Sequence, residues 1–103
     1  TRFQVIGPGI ELNGNDLLDG NLHHIAGVKR GTTYELYEDG SFIDDATSSG
    51  NPTSPNRSGH SSIGYESSFS RQYYHDGIID DCRIYNTSLT STQINQIYQN
   101  TKP

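Results

Sequence analysis

Apolar residues occur along this chain in short clusters separated by polar turn-formers. Phe3-Gln4-Val5-Ile6 alternates and stops at Gly7-Pro8-Gly9, the pattern of a short strand meeting a turn. Ile10-Glu11-Leu12 is a second such segment. It runs into Asn13-Gly14-Asn15-Asp16, where Asn-Gly signals a turn because both residues tolerate positive φ. In residues 22–29 the centre, Ile25, Ala26 and Val28, lacks clean alternation, which predicts a central strand covered on both faces. Arg30-Gly31-Thr32 turns the chain into Tyr34-Glu35-Leu36-Tyr37, and Asp39-Gly40 turns it again into Phe42-Ile43. These segments predict an antiparallel meander, with a type I′ turn at Asp39-Gly40.

Residues 44–62 are Ser, Thr, Asn, Pro and Gly with almost nothing apolar, which predicts a long exposed connection. A brief strand is expected at residues 60–65, around Ile63, and a polar loop at residues 66–72. Residues 74–85 are the most apolar stretch and predict a last strand near the middle of a sheet, entered by a bend at Gly77. After Asn86, Leu89 or Thr90 shares one helical face with Ile94, Ile97 and Tyr98 behind Ser and Thr caps, so one short closing helix is expected.

Composition narrows the class. At 103 residues, one domain over 1–103 is the economical reading. Hydrophobic residues at 30%, with eleven Gly and four Pro, favour short strands joined by polar loops over helices. The pattern therefore predicts an all-β antiparallel fold with a C-terminal helix. A formal charge of −5 with scattered Lys and Arg argues against a nucleic-acid partner. No apolar run approaches the roughly 20 residues of a spanning helix, so membrane insertion is not expected. Starting at Thr1 with no Met, the chain reads as a processed product or a piece of a longer one. Cys82, the only cysteine, rules out an internal disulfide and is expected to be a buried apolar thiol.

Three signatures occur in a fixed order. His23-His24-Ile25-Ala26-Gly27-Val28 is followed by Leu36-Tyr37-Glu38-Asp39-Gly40; then comes Ser62-Ile63-Gly64; then residues 76–86, Asp-Gly-Ile-Ile-Asp-Asp-Cys-Arg-Ile-Tyr-Asn, ahead of Leu89-Thr90 and the helix. Together they resemble the laminin-G-like, concanavalin A-like lectin/glucanase superfamily over about four-fifths of the chain. Leu22 stands where that family often has Trp, and Cys82 where it usually has Val. The resemblance implies a jelly-roll β-sandwich of which this chain is the C-terminal part. Roughly six short strands are expected, fewer than a full sandwich carries. The missing strands would then come from upstream sequence or another chain.

Period-two alternation puts Asp80 on the same face as Cys82 and Ile84, pointing inward. A buried carboxylate must accept backbone N–H bonds, pair with an Arg or bind a cation. The resemblance implies calcium here as one alternative, with Asp76 close enough to help, because members often hold a structural Ca²⁺ near the start of this strand. Asn13, Asn15, Asp16 and Asp19 form a second oxygen-rich cluster without EF-hand spacing, better explained as turn formation. His23 and His24 are strand neighbours that point to opposite faces and cannot chelate one ion; one of them is expected to be core-facing and hydrogen-bonded.

Loop aromatics and polar groups, Tyr65, Arg71, Tyr73, Tyr74 and His75, suit a shallow glycan site, since rings stack on sugars and Arg fixes hydroxyls. Asn56 and Asn86 head acceptor sequons for N-glycosylation. The sandwich hydrolases' pair of carboxylates two apart on one strand face is absent, Asp44-Asp45 and Asp80-Asp81 being adjacent and divergent, and no GxSxG elbow occurs. The expected function is therefore a non-catalytic, extracellular carbohydrate-binding or adhesion module whose partner is a glycan or cell-surface protein. The alternatives are a structural assembly subunit of a virion surface, fibre or filament, completed by other strands, and an accessory domain of a secreted glycoside hydrolase.

Overall fold

The computed structural model of the chain describes residues 3–7, 9–49, 63, 65–68 and 71–102. These fall into two compact units, Thr1–Thr53 with Tyr85–Pro103, and Ser54–Ile84. In the first unit, β1 (Gln4–Gly7) pairs antiparallel with β2 (Ile10–Asn13) from Gln4↔Asn13 to Gly7↔Ile10. The expected meander follows as β3 (Ile25–Arg30), β4 (Thr33–Glu38) and β5 (Ser41–Thr47), in spatial order β3-β4-β5. The second unit holds the hairpin β6 (Tyr65–Ser68) and β7 (Arg71–Tyr74). The helix α1 (Ser91–Thr101) belongs to the first.

Alternation along β4 sorts its side chains between two cores. Tyr34 and Leu36 face Leu12, with Val5, Ile10, Ile25, Ile43 and Ala46 packed around them. Tyr37 faces the other way, with Val28 and Ile94 of α1, flanked by Ala26 and Leu89. The first unit is thus three layers, β1–β2 over β3–β4–β5 over α1. A bulge where the register shifts between Leu36 and Tyr37 lets β5 serve both sides. Phe42 stays beside Tyr37 as an edge-to-face pair at 5.7 Å, while Ile43 and Ala46 turn into the opposite core.

The Asp39-Gly40 turn forms as expected, with φ of 51° and 76°. Glycine is needed at position 40 for a second reason, since a Cβ there would lie 2.9 Å from Tyr98 Cδ2. Helix α1 also forms as expected. Thr90 caps it, its hydroxyl accepting from Gln93 N–H while Gln93 Oε1 accepts from Thr90 N–H, a reciprocal capping box. Arg30 fixes the approach to the helix by donating to Leu89 O at 2.6 Å and to Glu35 Oε1 at 2.9 Å.

Several expectations are corrected. The strand β3 is an edge among the described strands and β4 is the central one. The apolar run in β3 is explained by the layers on both of its faces. Strand β5 continues to Thr47, because ladder bonds do not depend on the polarity of Asp44 and Asp45; residues 50–62 of the expected connection lie outside the described residues. Residues 66–72, expected as loop, lie mostly in β6 and β7, where β-forming Tyr65 and Tyr74 face each other in register. Asn13-Gly14 makes no turn: Gly14 is buried, its φ is not positive, and its N–H extends the β1–β2 pairing to Phe3 O at 2.8 Å.

The largest correction concerns residues 74–85. The strand β7 ends at Tyr74, and residues 75–90 pair with no described strand. Ile78 is 77% exposed and Ile84 94%, and Asp80 and Cys82 are exposed as well. A strand needs a neighbour to bond and a layer to cover it, and neither is supplied by the described residues. Asp81, at φ 52°, also interrupts the extended conformation.

Candidate functional site

Two regions gather chemistry-bearing residues. The first is the β6–β7 hairpin and its exit. Tyr65 is in register with Tyr74, Glu66 with Tyr73 and Ser68 with Arg71. Four of the five residues expected to form a ligand site are therefore placed on one hairpin, and His75 follows immediately and is exposed. Asn56 lies outside the described residues; Asn86 is exposed, as an acceptor asparagine must be.

Asp76 and Asp80 follow on the unpaired segment and both are exposed, so Asp80 does not take the inward position expected of it. Asp80 Oδ1 accepts from Asp81 N–H at 2.8 Å, and Asp81 in turn holds Arg83 through two bonds of 2.8 and 3.1 Å. Exposed to water, Asp80 carries no burial penalty that would demand a cation. Among the described residues no cluster of three or more His, Cys, Asp or Glu side chains is placed to hold a metal.

The second region was not anticipated and lies at the end of β4. Asn15 donates its backbone N–H and its side-chain amide to Glu38 Oε1, at 3.1 and 2.9 Å. Glu38 is 4% exposed, and its Oε2 is buried without a hydrogen-bond partner among the described residues. At the next residue, Asp39 Oδ2 meets His23 Nδ1 at 2.8 Å, and Asp39 Oδ1 accepts from His24 N–H at 3.0 Å. The other ring nitrogen of His23 meets Asp19 Oδ1, also at 2.8 Å. Loop 14–24, between β2 and β3, is thus pinned at its two ends by consecutive acidic residues.

These contacts set the charges. His23 is pushed above its ordinary value of 6.5 by its bond to Asp39, then by that to Asp19, against the effect of burial. Burial alone would raise Asp39, but the His23 bond and the His24 N–H outweigh it and bring it below 3.8. Asp19 is lowered by Asn21 N–H first and by His23 second. Of the core-facing, hydrogen-bonded histidine that was expected, His23 has the hydrogen bonds but not the place: it precedes β3 and bonds Asp39 and Asp19 outside the two cores, while the His24 ring lies 5.9 Å from that of Tyr98. The pairing was within reach of the sequence: the β3–β4 register that sets Ile25 against Glu38 brings His24 beside Asp39.

On the remaining face, Arg30 holds Glu35 below the usual carboxylate range, and burial followed by the Glu35 bond raises Tyr37. This cluster anchors α1. On β5, Asp44 and Asp45 stand opposite Leu36 and Glu35, neighbours in the strand and on opposite sides of it.

The family model described as the concanavalin A-like lectin/glucanases superfamily (laminin G type) matches residues 2–95. No curated protein matches the chain. Among solved structures it is similar to a crystal structure of an S-layer domain-containing protein (residues 221–444) from Clostridium thermocellum ATCC 27405. That likeness has a TM-score of 0.70 and 24% identity over 86% of this chain, and it spans 45% of the other. At this identity the likeness is one of fold.

Proposed function

This chain belongs to the concanavalin A-like lectin/glucanase superfamily, and from that premise we propose that it is a non-catalytic carbohydrate-binding module of an extracellular or cell-surface protein. The observation that carries the proposal is the β6–β7 register, which sets Tyr65 opposite Tyr74 on one face of the hairpin and Arg71 and Tyr73 two residues apart on the other, with His75 at its exit. Aromatic side chains give sugar rings a stacking surface and Arg gives hydroxyls a fixed donor, so a few neighbours of this kind suffice for a shallow site. Calcium at Asp80 with Asp76 is a subsidiary proposal: a chelator that lowers the melting midpoint supports it, and an unchanged midpoint removes it.

The test is a glycan array with the intact protein, followed by titration of any hit. Tyr74→Ala is expected to weaken binding about tenfold or more, in the range of a stacking contact of ~1.4 kcal/mol, with the melting midpoint unchanged. An array without any hit on polysaccharides or cell-surface glycans would sink the proposal.

A second reading, a structural assembly subunit completed by other strands, is favoured by the exposed apolar segment after β7. The S-layer protein that shares the fold carries a name that fits such a setting. Native mass spectrometry of the natural protein separates the cases. A higher oligomer of this chain supports assembly in trans, and a longer monomeric polypeptide supports completion in cis.

A further inference from the structure

His23 is held in a way that only one of its charge states satisfies. Both ring nitrogens lie 2.8 Å from carboxylate oxygens, Nδ1 from Asp39 and Nε2 from Asp19. A neutral imidazole carries one N–H, so its other nitrogen would set a lone pair against the lone pairs of a carboxylate. The imidazolium donates to both. The side chain is only 17% exposed, so water does not readily replace either partner.

The two carboxylates are not equally fixed. Asp39 sits in the tight β4–β5 turn, donates its own N–H to His24 O at 2.8 Å and accepts from His24 N–H. Asp19 lies on the loop, about half exposed, and its Oδ1 also accepts from Asn21 N–H at 2.9 Å. When the proton leaves, Asp19 is therefore the partner that lets go, and the His23–Asp39 bond survives as the Nδ1–H tautomer. The far end of the loop is tied separately, through the Asn15 amides to Glu38.

We propose that His23 is a proton-operated latch that holds loop 14–24 against the β4–β5 turn and frees its middle, residues 16–22, when it becomes neutral. That middle carries Leu18 and Leu22, 78% and 58% exposed, so the latch governs how two apolar side chains are presented to solvent or to a partner. Among the described residues, the charged or titratable groups around it are few. Asp16 and Asp19 lie on the loop, Glu38 and Asp39 at the end of β4, and His24 is the next residue. On α1, Tyr98 lies beside His24, with Lys102 over the Tyr98 ring at 5.8 Å. The latch does not depend on what the hairpin binds.

The experiment is an NMR titration of the whole chain from mildly acid to mildly alkaline pH. The His23 ring nitrogens and the exchange of amides 16–22, corrected for intrinsic rates, are followed together. His23 is expected to titrate above 6.5, its neutral form to be Nδ1–H, and loop opening to rise as the proton leaves. Asp19→Asn, at a half-exposed site, supplies the cycle. By linkage, the fold-change in opening equals the ratio of the His23 acid constants in Asp19→Asn and in the unaltered chain. Titration at or below 6.5, a neutral Nε2–H form, or loop exchange that ignores the titration would each overturn the latch.

Discussion

Gly14 shows how little a single residue need say about itself. Its neighbour Asn13 marks it as a turn glycine, yet its role is steric: a Cβ at this position would collide with the buried carboxylate of Glu38. Gly14→Ala is expected to cost about 1–3 kcal/mol through overpacking, measured by urea denaturation, whereas a turn glycine of ordinary φ would lose little. The His23 pair supplies a pH signature at the same scale. A raised histidine gives stability that is complete below 6.5 and is lost as pH rises through its folded value. The lowered Asp39 gives stability present above 3.8 and lost as pH falls through its own folded value. Melting midpoints are therefore expected to plateau in mildly acid solution and to decline on the alkaline side, and His23→Gln should flatten that alkaline decline. Oxygen-rich residues around position 15 were visible in the sequence. That Asn15 serves Glu38 was not, because the pairing depends on how one sheet is laid over another.

Elements were legible where the signal is local. The Asp39-Gly40 turn and the capped helix depend on nearest neighbours, and both form as the sequence predicts. Thr90→Ala is expected to cost about 1 kcal/mol, the usual loss for a hydroxyl cap, and Ile94→Ala about 2–5 kcal/mol, since Ile94 is buried between α1 and the sheet. Thermal unfolding of the two variants should rank them in that order, and equal losses would mean that α1 is not docked as described. Elements whose definition needs a distant partner were misjudged. The β6–β7 hairpin was hidden by its polar composition, and the strand expected at residues 74–85 has strand-like residues but no described strand beside it.

For the whole molecule, the family and the layered β architecture were legible, because turns and inward positions recur in any member. What composition could not convey is how unevenly the chain is covered. The first unit closes two cores around β4, whereas Ile78 and Ile84 in the other unit stay in water. Ile84→Ser is accordingly expected to change the stability of this chain by less than about 0.5 kcal/mol, as for other exposed sites, while reducing self-association at high concentration as seen by light scattering. A large loss of stability in dilute solution would show that Ile84 is covered after all.

Loop 14–24, finally, leaves the sheet and returns to it at adjacent residues, Glu38 and Asp39, so its span is set by β4 and not by its own length. Closure entropy grows only as the logarithm of length, about 0.6 kcal/mol per doubling. Residues can then be inserted between Asn15 and Asp19, or the others of the stretch exchanged, while Asn15, Asp19 and His23 keep their places. That makes the stretch a natural point for grafting a foreign peptide, and the place where relatives can diverge in length without disturbing the strands beneath.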